Sequence, residues 1–287
     1  MASAPAPRPS GAPRARRVRV RTVGADEARN DDVDWGLVDA ATLARIVVVS
    51  PHFDDAVLGA AHLIAGNPGT TVVTVLGGRP PAYPDEPTSW DACGGFKAGD
   101  DIVAVRREED RAAMEFLEAT PVWLDFPDHQ YLEPSQRPRP VEVAPALAAA
   151  LEEASPTAVF LPMGLANPDH GLTHDAGLRV RAERHEAGDT CAWFCYEDHG
   201  YKHIPGILAW RVSKLFLSGL WPTPAVVPIV PDMARKRAAI DCYKSQLPPL
   251  QRDHVLDERL DANVPEQYWR LAPPPAGWER LMEAVSR

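Results

Sequence analysis

The stretch Ile46-Val-Val-Val-Ser50-Pro51-His52-Phe53-Asp54-Asp55-Ala56-Val57-Leu58-Gly59 decides the reading of the fold. Its first five residues form a β-branched run of the kind that lies in a parallel sheet buried on both faces. From Ala56 the pattern is helical, so residues 51–55 must turn the chain from strand to helix. A dinucleotide-binding protein carries GxGxxG at that junction, where bare backbone cradles a phosphate. Here the glycines are missing, and His52, Asp54 and Asp55 stand in their place.

Working outward, short apolar runs recur at 71–76, 122–126, 158–162, 192–197 and 225–230, and helical patterns at 56–65, 102–118, 141–154 and 231–246. This alternation predicts an α/β fold: one domain built on a Rossmann-like, doubly wound, mostly parallel sheet. Residues 77–101 are rich in proline and glycine and lack periodicity, which predicts a long lid loop over one end of the sheet. The Pro-rich stretch after Leu247 and the terminal Tyr268-Trp269-Arg270 segment read as a C-terminal cap on the same domain.

The chain has 287 residues, 45% of them hydrophobic, ample for a large core. Residues 1–34, Pro-rich with a basic run at Arg14 to Arg21, read as a disordered leader, and residues 35–287 as the domain. A formal net charge of −10 argues against a nucleic-acid partner, which needs a clustered basic face. No apolar signal core and no run of about 18 apolar residues is visible, so a cytoplasmic protein without a membrane span is expected. Four scattered cysteines do not make a disulfide framework, and Cys191 and Cys195 read as part of a buried strand rather than a zinc site.

His52 and Asp55, three apart across a tight turn, can converge on one point, and imidazole with carboxylate suits zinc. Asp54 then lies beside the metal without binding it. The alternative is that Asp54 or Asp55 caps the helix, which accounts for one aspartate but not for three ionisable groups at the end of an apolar strand. The third ligand should come from another strand end near the switch point of the sheet. The run Ala158-Val-Phe-Leu161 leads into Asn167-Pro168-Asp169-His170, which makes His170 the candidate. Three ligands leave a position open for water, as in catalytic zinc sites. Asp169 reads as a hydrogen-bonding support, and His174 as a loop or solvent histidine rather than a further ligand.

These residues resemble the signatures of the PIG-L/LmbE-like deacetylases, with Pro51-His52-Phe53-Asp54-Asp55 similar to the first motif and Asn167-Pro168-Asp169-His170 to the second. Arg106-x-x-Glu109-x-x-x-Ala113-x-x-x-Leu117, Phe126-Pro127-Asp128 and Lys236-x-x-Ala239-x-x-x-Tyr243-Lys244-Ser245-Gln246 follow in the family's order, over roughly residues 44 to 247. The resemblance implies a Zn2+ cofactor on His52, Asp55 and His170, with Asp54 as general base. It implies contacts to sugar hydroxyls from Arg106, with Arg107 an equally placed rival, and from Asp128. It further implies removal of an N-acetyl group from an N-acetylglucosamine-type sugar in a small-molecule amino-sugar conjugate.

Phe53 and Ala56 depart from the usual proline and glutamate, and Asn167 from the histidine that stabilises the oxyanion in most members. A neutral amide is a weaker donor than an imidazolium. Either His174, His199 or His203 replaces it, or the metal alone polarises the carbonyl. Two alternatives follow: a metal-containing sugar-binding protein with weak turnover, and an amidase of the same fold acting on a larger N-acyl conjugate. Among aromatic residues, Trp123, Trp193, Tyr196 and Trp221 read as core, and Trp90, in the lid, as the ring placed to meet a sugar. Glu197-Asp198-His199 reads as either a pocket rim or a solvated turn.

Overall fold

The computed structural model describes residues 37–262 and 264–272. The leader expected over residues 1–34 lies outside them, as does the chain after 272. Strand β1 (Ile46–Ser50) is buried along its whole length and lies between β2 (Thr71–Thr74) and β4 (Ala158–Pro162), parallel to both. β3 (Thr120–Trp123) extends the sheet beyond β2 and β5 (Ala192–Tyr196) beyond β4, again in parallel. β6 (Pro222–Ala225) and β7 (Tyr268–Leu271) complete the order β3-β2-β1-β4-β5-β7-β6, and β7 runs antiparallel to both neighbours. The expected doubly wound, mostly parallel sheet is therefore present.

Alternation along the strands feeds two cores. Ile46, Val48, Phe160 and Phe194 face one side, under α1 (Asp55–Gly66), α3 (Ile102–Leu117) and α7 (Met233–Ile240). Val47, Val49, Val159 and Leu161 face the other, under α4 (Pro140–Ala154) and α5 (Pro168–Glu186). α1 lies so close to β5 that a Cβ on Gly59 would stand 2.6 Å from the Tyr196 ring, so this position needs glycine.

Three expectations shift. The strand expected at 122–126 pairs instead over Thr120–Trp123. That expected at 225–230 is displaced to Pro222–Ala225, an edge where proline's missing N–H costs no ladder bond. Residues 226–230 still alternate, with Val227 buried and Val226 and Val230 exposed, but they form no strand. The helix expected at 231–246 stops at Ile240, and the chain resumes as α8 (Leu247–His254) and α9 (Leu256–Asp261). The cap segment Tyr268–Leu271 joins the sheet, while α2 (Ser89–Cys93) forms within the lid loop and α6 (Ile207–Leu217) precedes β6.

Candidate active site

The loops after β1 and β4 meet at the switch point of the sheet, where adjacent crossovers diverge and a crevice opens. In the loop after β1, Ser50 Oγ accepts from a first-turn amide of α1, Ala56 N, at 2.9 Å. The capping expectation therefore fails for Asp54: it occupies the cap position of α1, yet its carboxylate makes no cap bond and stays buried. Asp55 Oδ2 instead gathers the loop, accepting from His52 N at 3.0 Å and lying 3.1 Å from His52 Nδ1 and 3.2 Å from His170 Nε2. His52, Asp55 and His170 each offer a ligand atom within 4.8 Å of the others, so the donor set expected for a metal converges. One carboxylate and two imidazoles on rigid loops suit a zinc-sized divalent ion.

Each imidazole is backed by a carboxylate. His52 Nε2 donates to Asp169 Oδ2 at 3.1 Å, and His170 Nδ1 donates to Asp198. Such partners fix the ring orientation and tautomer of a ligating histidine. Asp169 plays the supporting part expected of it, and Asp198, read from sequence as rim or turn, is a buried anchor. His129 also bonds Asp169 and was not anticipated; it follows Asp128 in the loop after β3.

The charges of these groups act on one another. Burial works against charging His170, but the Asp55 and Asp198 carboxylates hold its imidazole up at about 9. Burial likewise opposes ionisation of Asp55, yet His170 and His52 keep it well below the usual carboxylate range. Asp54 moves the other way: burial first, and the neighbouring Asp55 charge second, raise it to about 7.

These groups form part of the wall of a cleft of about 340 Å³. Arg106 lines it, with Nη2 donating to the fully buried Asp91 at 2.7 Å. Its rival Arg107 is not in the wall and donates to the Gly77 carbonyl, so the geometry favours Arg106. Asp128 lines the cleft with its oxygens accepting from Gln130 N at 2.9 Å and Gln130 Nε2 at 2.8 Å. Asn167 caps α5, its side chain accepting from Asp169 N at 2.8 Å. The lid is tied down as a wall: Trp90 Nε1 donates to Gln246 Oε1 at 2.9 Å, and Tyr131 Oη donates to Asp91 at 2.9 Å.

The other histidines stand elsewhere. His174 is wholly buried in α5, donating from Nδ1 to the Pro162 carbonyl, so it is neither a solvent group nor a cleft donor. His199 and His203 do not line the cleft, whereas His254 does. Asp91 and Tyr131 carried no sequence signal, since neither belongs to a periodic segment.

Residues 47–181 match the sequence model of the family described as PIG-L: GlcNAc-PI de-N-acetylase. No curated protein matches the chain. Among solved structures, the chain is similar to the A40926 pseudoaglycone deacetylase, at 25% identity and a TM-score of 0.66, covering 81% of this chain and 99% of that one. It is similar also to the zinc-inhibited form of a teicoplanin deacetylase, at 26% identity and a TM-score of 0.62, covering 79% and 97%. The N,N′-diacetylchitobiose deacetylase from Pyrococcus horikoshii shares the fold at 20% identity and a TM-score of 0.51, covering 77% and 76%. Among the described residues no helix is long and apolar enough to cross a membrane. With its His-Asp-His cluster at the sheet's switch point, the chain matches the PIG-L family model over residues 47–181 and is an amide hydrolase of the N-deacetylase type.

Proposed function

We propose that the protein is a zinc-dependent deacetylase that removes the N-acetyl group from an N-acetylglucosamine-type sugar borne on a larger conjugate. The observation that carries this reading is the convergence of His52, Asp55 and His170 in a cleft wall beside a buried, uncapped Asp54. The similar structures, an A40926 pseudoaglycone deacetylase and a teicoplanin deacetylase, support a sugar carried on a bulky aglycone.

His52, Asp55 and His170 hold the metal, with Asp169 and Asp198 orienting the two imidazoles. Bound there, zinc supplies Lewis acidity and lowers the pKa of water. Asp54 takes the proton of the attacking water. Its carboxyl then returns the proton to the departing amine. Acetate and a free amino sugar are the products. Arg106, buried on Asp91, and Asp128, set by Gln130, present a donor and an acceptor to the sugar hydroxyls.

Acetate release from N-acetylglucosamine conjugates, measured alongside metal content, tests the reading. Asp54→Ala should lower turnover by about 10²–10⁴-fold, the usual share of a general acid–base group, while metal content stays at the wild-type level. Activity that survives this change would remove Asp54 from the mechanism. Turnover only on long N-acyl conjugates would instead favour an amidase of the same fold.

A further inference from the structure

With an amide at position 167, the negative charge that develops on the scissile carbonyl oxygen lacks its expected imidazole partner. We propose that Tyr201 replaces it, donating its phenolic O–H to that oxygen, and that Asn167 acts as the positioning residue that aims the phenol. The inference rests on the amino-sugar deacetylase reading above and adds a catalytic residue to the same site.

Tyr201 and Asn167 both line the cleft, together with His52, Asp54, Asp55 and His170. Asn167 Nδ2 donates to Tyr201 Oη at 3.0 Å. The phenol oxygen is the acceptor in that bond, so its own proton is left for another partner. The amide cannot turn round to take that proton, because its oxygen is engaged by the Asp169 backbone N–H as the cap of α5. The helix cap thus sets the polarity of the Asn167–Tyr201 contact. The ring is held as well: it stands edge-on to His170, with centroids 5.1 Å apart at 87°, and to His254, at 5.2 Å and 86°. A neutral donor fixed in this way needs no reorganisation as charge appears.

As the water oxygen bonds to the carbonyl carbon, the π pair moves onto the carbonyl oxygen and the water proton passes to Asp54. The Tyr201 O–H bond stays intact and its hydrogen bond strengthens. When the C–N bond breaks, the electron pair leaves with the nitrogen, which takes the proton from Asp54.

Tyr201→Phe, Asn167→Ala and the double variant test the assignment. The readouts are acetate release, metal content, and affinity for a methylphosphonamidate of glucosamine, whose charged oxygen stands in for the oxyanion. Tyr201→Phe should lower kcat by about 10²–10³-fold and weaken the analogue comparably, with KM, metal content and glucosamine binding unchanged. Asn167→Ala should lower kcat less, and should add little in the Tyr201→Phe background, because it acts through the phenol. Wild-type kcat or wild-type analogue affinity in Tyr201→Phe overturns the assignment, and so does a loss of kcat that merely follows a loss of metal. Fully additive single variants overturn the positioning role of Asn167. Failure of the amino-sugar reading looks different, since the wild-type protein then neither hydrolyses the conjugates nor binds the analogue, and the Tyr201 assignment falls with it.

Discussion

The two loops that bring imidazoles to the cleft are built in opposite ways. The loop after β1 is closed mainly by its own residues: Ser50 Oγ caps Ala56 N, and Asp55 meets both the backbone and the ring of His52, while Asp169 and Leu76 N add one bond each from outside. The loop after β4 is held from outside. Asp198, beyond β5, bonds His170 and accepts from Leu165 N at 3.2 Å, while Arg211 of α6 donates to the Gly164 carbonyl. Gly164 sits at φ +78° under that arginine, and a Cβ there would stand 2.8 Å from the His174 side chain. One loop is a local device and the other a tertiary one, so damage to them should spread differently.

Asp55→Ala strikes where the loops meet, since one carboxylate oxygen contacts His52 and His170. Metal affinity of the purified variant, read by chelator competition, should fall by more than the ~100-fold expected for an outer partner, taking acetate release with it. Retention of the metal would mean that Asp55 is not a ligand. The supporting carboxylates come next. Asp198→Ala and Asp169→Ala should each weaken metal binding by about 10–100-fold, read by competition with a chromophoric chelator. Asp198→Ala should also destabilise the fold, because it frees the buried Leu165 amide, whereas Asp169→Ala frees the amide of the half-buried His129 and should leave the melting temperature closer to wild type. Equal effects of the two changes on both readouts would erase the contrast between the loops.

The same contrast explains what could be read from sequence. The loop after β1 was legible because its chemistry is written in consecutive residues, 50–56. In the loop after β4, His170 and Asp169 were legible for the same reason, but Asp198 lies 28 residues beyond His170 and Arg211 47 beyond Gly164. Periodicity cannot report such partners. Asp91 illustrates this best: it lies in an aperiodic loop, yet it is fully buried and holds Arg106. The sheet was legible where strands are buried on both faces, as in β1 and β4. It was misjudged at the edge, where β6 carries two prolines and its neighbour β7 is a short segment near the end of the described chain. There, pairing geometry overrides hydrophobic pattern.

A last contrast sets the site's carboxylates against Asp110, on α3. Half-buried Asp55 and buried Asp169 lie beside imidazoles, which keep both below the usual carboxylate range even though desolvation opposes it. Asp110 is buried with neutral partners, Trp123 Nε1 donating at 2.7 Å and Tyr243 Oη at 2.8 Å, and burial raises it from 3.8 to about 6. The pH dependence therefore has opposite signs. A carboxyl with a depressed folded pKa stabilises the native state above its unfolded value, and that contribution is lost as pH falls through the folded pKa. For Asp110 the native state holds its proton up to a higher pH than the unfolded chain does. Its contribution is consequently most favourable below 3.8 and declines as pH rises to about 6, by about 3 kcal/mol at 1.36 kcal/mol per unit. Asp110→Asn is neutral at every pH and removes that slope. Urea unfolding of both proteins at pH 4, 5, 6 and 7 should show the stability difference, wild type minus variant, shrinking or turning negative by about this amount up to pH 6 and then levelling. A difference independent of pH would mean that the Trp123 and Tyr243 donors fully compensate the buried charge.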